Sequence, residues 1–459
     1  MQETIAAIAT PPGEGGLHLI RLSGPQALSL AAQLFFPAGA AAVTPFAHQR
    51  AIFGEIRDPA TGQGLDEVIL TAFHAPHSYT AEDVVEISCH GGVLVSQRIL
   101  ERVIDQGARP AGPGEFTRRA FVNGRLDLAQ AEAVADLIHA ASDRAMAAAL
   151  NQLRGGLSAK LNAWYARLMG VLAQLETAID FPEEGLEFKQ KQALLAEVRQ
   201  VETAIEDLLA TFRQGKIFRD GLQVVLLGKP NAGKSSLLNQ LLREERAIVT
   251  HFPGTTRDVL AERVRLKDIH ITLLDTAGIR QEPEVIEEEG IRRTRQALDR
   301  ADLALVVLDG SRPADADDAC LLEAVGGTPA CLAVNKIDLP RRLDLEPILA
   351  QMGHPETLDI CATRGTGIPA LEDALYQTAL TGAGRRQEGV VLTRERHRAV
   401  LAAAHTALGR VGESLAADLS EDLVAVDLNQ AQHLLGGLLG KQFDIDLLDR
   451  IFDDFCIGK

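Results

Sequence analysis

The chain of 459 residues is 46% hydrophobic but only 4% aromatic, which predicts two to four domains whose cores are mainly aliphatic. Its formal net charge of −17 argues against broad, charge-driven binding of nucleic acid. RNA held by a local basic patch or a partner subunit stays compatible with that charge. Five cysteines without disulfide spacing, no secretory signal and no apolar run of about twenty residues predict a cytoplasmic protein without a membrane span.

The first 120 residues alternate short apolar runs with turn signals, which predicts an α+β domain on a mainly β framework. The clearest strand candidates are residues 16–22, 66–73 and 83–90. Over 126–175 and again over 194–212, apolar residues recur at steps of three and four, so helices are expected there. The Phe-Pro-Glu-Glu string at 181–184 is expected to interrupt them.

Four continuous apolar runs follow, at 223–227, 271–274, 303–308 and 331–334, each typical of a buried parallel strand. Helical segments lie between them, so the pattern predicts a doubly wound α/β domain. Helical patterns return over 394–408 and 423–439, which indicates that the α/β domain is inserted into a helical domain. The predicted boundaries are 1–120 for the N-terminal domain, 121–217 and 381–459 for the two helical halves, and 218–380 for the insert.

A phosphate-binding loop is the most specific motif. Residues 228–235 read GKPNAGKS, which matches G-x-x-x-x-G-K-[ST] between a predicted strand and a predicted helix. Backbone N–H groups are expected to surround a phosphate, Lys234 to reach the β- and γ-phosphates, and the Ser235 hydroxyl to bind Mg²⁺. The nucleotide-binding residues predicted here are Asn231, Ala232, Gly233, Lys234, Ser235 and Ser236.

Two further motifs follow later strands. The first comprises Asp275, Thr276, Ala277 and Gly278, in which Asp275 is expected to hold Mg²⁺ through water and the Gly278 N–H to contact the γ-phosphate. The second comprises Asn335, Lys336 and Asp338. The Asp338 carboxylate can accept two N–H bonds from guanine, whereas adenine has no matching donor pair, so GTP is predicted over ATP. Ala362 lies in a Cys-Ala-Thr string that resembles a Ser-Ala-Lys base loop, and its backbone is predicted to contact the base.

The mechanism of hydrolysis is left open by the motifs. Ile279 occupies the position where Ras-like enzymes place a water-orienting glutamine, and no arginine finger is evident. A slow binder without catalysis is therefore one interpretation. The other is a monovalent cation held by the Asn231 amide oxygen and carbonyls of the loop THFPGTTRD at 250–258, with water positioned by the acidic run at 282–289. In that loop Thr256 is favoured as a Mg²⁺ ligand, and a plain polar loop is the alternative.

Several strings together resemble the MnmE (TrmE) family of tRNA-modifying GTPases along essentially the whole chain. They are ATPPGEGG at 9–16, SYTAEDVVEI at 78–87, PGEFT at 113–117, AFVNGRLDL at 120–128, DFPEE at 180–184 and FCIGK at 455–459, beside the GTP motifs. The resemblance implies an N-terminal tetrahydrofolate-binding domain, a helical domain and an inserted G domain.

The resemblance also implies a reaction and its partners. The family forms homodimers through the N-terminal domains and works with the flavoprotein MnmG, which carries FAD, in an expected heterotetramer. Together they add an aminomethyl or carboxymethylaminomethyl group to carbon 5 of the tRNA wobble uridine. A tetrahydrofolate derivative, 5-formyl- or 5,10-methylene-tetrahydrofolate, supplies the one-carbon unit, and GTP hydrolysis depends on K⁺.

Site residues follow from the resemblance one by one. The K⁺ positions are Asn231, Thr250, Phe252 and Thr255; the Mg²⁺ positions are Ser235 and Thr256; the water-positioning carboxylate is Glu287; and the folate contacts are Arg21, Glu86, Arg125 and Lys459. Arg125 stands where a lysine is expected, and Arg and Lys differ in geometry. Without the resemblance, Glu86 would be interpreted as an outward-facing surface residue of a strand.

The resemblance brings Cys456 near the one-carbon chemistry as a candidate catalytic thiol. Cys89, Cys320, Cys331 and Cys361 lie in or next to apolar runs and are predicted to be buried.

Three other functions compete with this interpretation. A ribosome-assembly GTPase of the Era or Der type shares the GTP motifs, but it should carry a basic RNA-binding module, and the N-terminal strings have no role there. The others are a folate-dependent one-carbon transferase with a regulatory G domain, and a nucleotide-switched scaffold without chemistry of its own.

Overall fold

The computed structural model describes residues 3–38, 46–181, 188–243, 261–275, 295–352, 355–380, 389–417, 419–442, 444–453 and 455–459. The chain divides into two compact units, and each is described by itself. The first unit comprises Met1–Ala135, Gln152–Gly170 and Gln432–Lys459, and the second comprises Asp136–Asn151 and Val171–Ala431.

Strands and helices are numbered in chain order. The strands are β1 (Ile5–Ile8), β2 (Leu17–Ser23), β3 (Phe35–Pro37), β4 (Ala51–Arg57), β5 (Gly64–Phe73), β6 (Val84–His90), β7 (Arg109–Pro110), β8 (Leu222–Leu227), β9 (Ala261–Leu266), β10 (Ile269–Asp275), β11 (Leu303–Asp309), β12 (Ala330–Asn335) and β13 (Glu356–Asp359). The helices discussed below are α1 (Ala27–Leu34), α2 (Val93–Asp105), α3 (Glu115–Val122), α4 (Leu128–Ile138), α5 (Asp143–Leu153), α6 (Gly156–Asp180), α7 (Phe188–Ala210), α8 (Phe212–Asp220), α9 (Lys234–Arg243), α10 (Ala316–Val325), α11 (Glu346–Met352), α12 (Ile368–Leu380), α13 (Glu395–Ala416), α14 (Glu421–Leu439) and α15 (Ile445–Asp453).

The first unit is built on a seven-stranded sheet in the order β3-β4-β5-β6-β2-β1-β7. Neighbouring strands are antiparallel except β1 and β7, which are parallel. The three strands predicted at 16–22, 66–73 and 83–90 are confirmed as β2, β5 and β6.

Alternation along β1 gives this sheet two apolar faces, because successive side chains of a strand point to opposite sides. Ala6 belongs to the core that β2, β5 and β6 share with α1 and α2. Ile5 and Ala7 form a second cluster with the fully buried Phe116 of α3. The α+β arrangement predicted for the N-terminal part is therefore present.

A third cluster in the first unit joins α3 and α4 to the end of the chain. Phe121 and Leu128 pack with Ile451, Phe452 and Phe455. The rings of Phe452 and Phe455 lie 5.5 Å apart. This packing holds residues 455–459 beside the loop that precedes α3.

The second unit contains a six-stranded sheet in the order β13-β12-β11-β8-β10-β9. All pairs are parallel except β9 with β10. One face is covered by a core that includes Leu237 of α9 and Leu371 of α12, the other by a core that includes Leu322 of α10 and Ile348 of α11. The predicted doubly wound α/β domain is confirmed, and its four predicted strands are β8, β10, β11 and β12.

A helix that precedes this sheet in the sequence packs against a helix that follows it, as expected for an inserted domain. In α7, Val198, Val201 and Ile205 are fully buried, as is Leu401 in α13, and the two helices are in contact. The helical stretch predicted over 126–175 is three helices, α4, α5 and α6, separated at 139–142 and at 154–155, where Gly155 has φ +87°. Helix α6 ends at Asp180, directly before the predicted interruption.

Within the described part of the chain, no helix is both long and apolar enough to cross a membrane.

Candidate functional sites

The phosphate loop connects the buried strand β8 to α9, and two of its glycines are required by close packing. Gly228 has φ +149°, and a Cβ there would lie 2.5 Å from the carbonyl oxygen of Val307. Gly233 has φ +103°, and a Cβ there would lie 2.0 Å from Nδ2 of Asn335. These positions can be occupied only by glycine, which also lets the backbone approach an anion closely.

Lys234 lies at the first turn of α9, and its ammonium is directed back along the loop. Its Nζ donates to the carbonyl oxygens of Gly228 and of Lys229, the second at 2.8 Å. Ser235 and Ser236 follow in the same turn, the first exposed and the second half-buried, and Asn231 is exposed with φ +64°. The helix N-terminus and the lysine together form the kind of anion site that phosphates occupy.

Asn335 links this loop to the predicted base loop. Its Nδ2 donates to the carbonyl oxygen of Ala232 at 2.8 Å, and its Oδ1 accepts from the Ala362 N–H at 2.9 Å. The carboxyl ends of β8 and β12 lie at one edge of the sheet, separated by β11. Such an edge is where ligands bind in doubly wound sheets.

Lys336 and Asp338 are held by neighbours that sequence reasoning did not single out. Lys336 Nζ lies 2.6 Å from Oδ2 of Asp309, the last residue of β11. Burial alone would raise the pKa of the Asp309 carboxyl, but hydrogen bonds from Lys336 and Ser311 outweigh it and lower the pKa. Asp338 accepts a hydrogen bond from the Cys361 thiol at 3.3 Å, so a cysteine serves this carboxylate where the resembling base loop has serine.

Part of the predicted GTP site lies outside the described residues. This applies to Thr250, Phe252, Thr255, Thr256, Thr276, Ala277, Gly278 and Glu287. The backbone of Asp275 is described as the last residue of β10, paired with Leu226 in register, and its side chain is not described.

A second cluster of candidate residues lies in the first unit. Arg21 on β2 and Glu86 on β6 are directly opposite each other in register, and the guanidinium contacts the carboxylate at 2.8 Å. Arg21 is only 8% exposed, and its Nη1 donates to the carbonyl oxygen of Gly458 at 3.1 Å. Glu86 is therefore engaged within the sheet and is not the outward-facing surface residue of the alternative interpretation.

Tyr79 stands at the centre of this cluster; it lies in the SYTAEDVVEI string, which assigned it no role. The Arg21 and Arg125 guanidinium carbons lie 5.2 and 5.0 Å from its ring centroid, and Lys459 Nζ lies 6.0 Å from it. Arg125 Nη1 also donates to the Tyr79 carbonyl oxygen at 2.9 Å. Burial, and then the Arg21 charge, lower the pKa of Lys459. The structure thus brings together all four of the residues predicted from the folate resemblance.

Residues 455–459 reach this cluster by pairing with the loop before α3. Ile457 forms an isolated bridge with Pro113, and the Gly114 and Phe116 N–H groups donate to carbonyl oxygens of Cys456 and Lys459. Cys456 itself is exposed. An exposed thiol therefore lies on the same five-residue segment as Lys459.

Of the four cysteines predicted to be buried, Cys89, Cys331 and Cys361 are buried, and the prediction for Cys320 is wrong. Cys320 lies on α10, where Leu322 and Val325 face the core instead. Burial raises the pKa of Cys89 to about 11 and the pKa of Cys331 to about 12, so these two thiols are not reactive thiolates near neutral pH.

Among the described residues, no group of three or more His, Cys, Asp or Glu side chains could hold a metal ion.

A doubly wound domain with a phosphate loop after β8 and an Asn-Lys-x-Asp string after β12 defines a GTP-binding protein. Comparison with known proteins specifies the family. The family model described as "MnmE helical domain" matches residues 128–456, and the model "GTP-binding protein TrmE N-terminus" matches residues 4–125.

Curated relatives extend over the same length as this chain. Proteins named tRNA modification GTPase MnmE are 44% identical in Geobacter sulfurreducens, 43% in Levilactobacillus brevis and 45% in Moorella thermoacetica. Each alignment covers 100% of this chain and 98–100% of the relative. The chain belongs to the MnmE (TrmE) family, and it is a GTPase.

Proposed function

We propose that this GTPase, together with a flavoprotein partner, adds an aminomethyl or carboxymethylaminomethyl group to carbon 5 of the tRNA wobble uridine. The full-length relatives named tRNA modification GTPases support the class of reaction. The single observation that carries the finer proposal is the cluster around Tyr79, which lies on the same side of the first unit as the segment bearing Cys456.

The cluster around Tyr79 is chemically suited to a tetrahydrofolate derivative, either 5-formyl- or 5,10-methylene-tetrahydrofolate. Such a molecule has an anionic glutamate tail and a pterin rich in N–H groups. Arg21, Arg125 and Lys459 provide positive charge for the tail, Glu86 provides a carboxylate for N–H donors, and Tyr79 provides an aromatic face. The folate would supply the one-carbon unit. Cys456 would act as the thiol nucleophile beside it.

In the second unit we assign roles to the GTP-site residues. Lys234 binds the β- and γ-phosphates, Ser235 and Thr256 bind Mg²⁺, and Asp338 selects guanine. Further contacts to GTP or its Mg²⁺ come from Ala232, Gly233, Ser236, Asp275, Thr276, Ala277, Gly278, Asn335, Lys336 and Ala362. The exposed Ser235 hydroxyl at the start of α9 and the outward-turned Asn231 are compatible with cation binding at the rim of the loop.

We propose K⁺ as the activating cation, held by Asn231 with Thr250, Phe252 and Thr255, and Glu287 as the carboxylate that positions the attacking water. K⁺ would supply positive charge where other GTPases place an arginine finger.

We propose a homodimer formed through the N-terminal domain, residues 1–120, and a heterotetramer with the FAD-carrying flavoprotein MnmG that acts on tRNA in the cytoplasm. The sheet of the first unit supports self-association, because Phe53 on β4 and Ile69 on β5 are direct cross-strand neighbours that are 54% and 46% exposed. Adjacent exposed apolar residues of this kind typically belong to an interface. The remaining proposed domains are the helical halves 121–217 and 381–459 and the G domain 218–380.

Binding of 5-formyl-tetrahydrofolate to the purified full-length chain tests the proposal for the first unit. Arg125→Met removes an exposed guanidinium beside Tyr79 and should weaken binding at least about tenfold, as expected for a lost charge-assisted contact. Arg98→Met is the matched control, because Arg98 is an exposed arginine on α2 that pairs only with Glu101 among the described contacts. No folate binding by the wild type, or equal binding by both variants, would contradict the assignment.

A further inference from the structure

The phosphate loop contains a second lysine whose side chain is buried away from solvent. Lys229 occupies a variable position of G-x-x-x-x-G-K-[ST], and its side chain is only 8% exposed. Its ammonium forms an ion pair with Asp315 and lies 3.2 Å from Asp318 and 3.5 Å from Asp317. A lysine is rarely this buried unless it is paired, so these contacts account for its position.

The carboxylates that surround Lys229 also form the N-terminal cap of α10. Asp315 accepts hydrogen bonds from the Asp317 and Asp318 N–H groups, and the Asp318 carboxylate accepts from the Asp315 N–H at 3.1 Å. The Asp318 side chain is 8% exposed, with Lys229 as its nearest cation and Arg312 next at 3.9 Å. The ammonium therefore joins the loop to a helix start whose geometry is fixed by reciprocal hydrogen bonds.

The backbone of Lys229 acts on the nucleotide side of the same loop. Its carbonyl oxygen accepts hydrogen bonds from Lys234 Nζ at 2.8 Å and from the Ala232 N–H at 3.3 Å. The loop includes positive φ angles at Gly228, Asn231 and Gly233. Of these three residues, Asn231 is the one with a side chain, and the contacts of the loop hold it in its left-handed conformation.

We propose that the Lys229–Asp315–Asp318 ion cluster braces the phosphate loop, and that Lys229 is a positioning residue for nucleotide binding. The Lys229 side chain is anchored to the first turn of α10, so its carbonyl oxygen is held in place. That oxygen accepts a hydrogen bond from Lys234 and thereby orients the Lys234 ammonium toward the phosphates. Because coupling between two sites is reciprocal, binding of nucleotide at the loop also stabilises the first turn of α10.

The test measures GDP affinity and hydrogen exchange on the full-length chain. Lys229→Met should raise the Kd for GDP at least tenfold, and Lys229→Arg, which keeps the charge, should restore it to within threefold of the wild type. Lys229→Met combined with Asp318→Asn removes the charge at position 318 but keeps an oxygen that can accept the cap hydrogen bond. Weaker GDP binding by this double variant therefore reports the loss of the brace and not the burial of an unpaired carboxylate. Lys267→Met is the matched control, since Lys267 forms an exposed ion pair with Asp373, and it should bind GDP like the wild type.

Hydrogen exchange distinguishes positioning from a purely structural role. GDP should slow exchange in residues 315–319 of the wild type and of Lys267→Met, and this protection should be lost in the double variant. The double variant is expected to keep the thermal midpoint of the nucleotide-free wild type while binding GDP at least tenfold more weakly. Wild-type affinity in the folded double variant, or unchanged GDP protection of α10 in it, would overturn the proposal.

Discussion

Gly458 shows how a single residue determines the path of the segment 455–459. Its φ is +96°, and a Cβ there would lie 2.6 Å from Cα of Ala9 and 2.8 Å from the carbonyl oxygen of Ile8. Both neighbours are backbone atoms of the first unit, so they cannot rotate away as a flexible side chain would. Only glycine allows the segment to pass β1 at this distance.

We expect Gly458→Ala to displace Lys459 and Cys456 from the cluster around Tyr79. GTP hydrolysis should stay close to the wild-type rate, whereas tRNA modification should be lost. Gly107→Ala is the matched control, because Gly107 has φ +116° in the same unit but open space around its Cβ position. Both substitutions strain a backbone with positive φ, but only Gly458→Ala also adds a steric clash. Equal tRNA modification by the two variants would show that the path of the segment is not required.

The charge of Lys459 makes folate binding depend on pH. Burial, and then Arg21, lower its pKa from the ordinary value of 10.5. The ammonium therefore loses its proton at a lower pH than an exposed lysine, and affinity for an anionic folate should fall as the pH rises through this lowered pKa. Lys459→Arg keeps its charge throughout and should remove the fall in affinity from this pH range. Calorimetric titration with 5-formyl-tetrahydrofolate between about pH 7 and pH 10 measures both profiles, and identical profiles would exclude Lys459 from the site.

At the scale of elements, the contact between α7 and α13 joins the two parts of the chain on either side of the G domain. Leu401 of α13 is fully buried. We expect Leu401→Ala to lower the free energy of unfolding by about 2–5 kcal/mol, because it removes buried methyl groups and leaves a cavity.

Leu423→Ala on α14 is the control for this helix packing, since Leu423 is 56% exposed. Its effect should stay within about 0.5 kcal/mol. Urea unfolding of the nucleotide-free chain, followed by circular dichroism, measures both variants. Similar losses in the two would show that α13 is not an integral part of the packed helical domain.

The strands of the G domain could be predicted from the sequence more reliably than the helix boundaries, for physical reasons. The buried strands β8, β10, β11 and β12 are continuous apolar runs, a pattern that leaves little ambiguity. The division of 126–175 into α4, α5 and α6 was not predicted, because the apolar spacing continues across the breaks. Cys320 was predicted to be buried because it adjoins apolar residues, yet position on a helix face decides burial.

The candidate sites divide in a similar way. Motif residues such as Lys234 and Asn335 could be identified from spacing alone. The partners of the motif residues Lys336 and Asp338 could not be identified in this way, since Asp309 reaches Lys336 and Cys361 reaches Asp338 only through the order of strands in the sheet. Tyr79 lies in the SYTAEDVVEI string, but the string assigns it no role. Its contact with Arg21 depends on the fold of the N-terminal part, and its contact with Lys459 depends on the path of residues 455–459.

At the scale of the whole molecule, the proposed cation requirement can be tested on the intact GTPase. Replacing K⁺ by Na⁺ at constant ionic strength should slow GTP hydrolysis at least about tenfold, because the smaller Na⁺ fits a site sized for K⁺ poorly and the positive charge near the transition state is then lost. GDP affinity should be the same in both salts, which separates hydrolysis from binding. Equal hydrolysis rates in the two salts would exclude the cation site built on Asn231.

We propose that this chain takes part in modifying the tRNA wobble uridine and that its Cys456 thiol is required. Nucleoside analysis of bulk tRNA tests it most directly, in cells that lack the chain and are then supplied with wild type, Cys456→Ser or Cys320→Ser, the last changing an exposed thiol in the second unit. We predict loss of the modified nucleoside without the chain, recovery with wild type and Cys320→Ser, and no recovery with Cys456→Ser. An unchanged tRNA profile in cells without the chain, with ribosomal subunits accumulating instead, would exclude a role in tRNA modification.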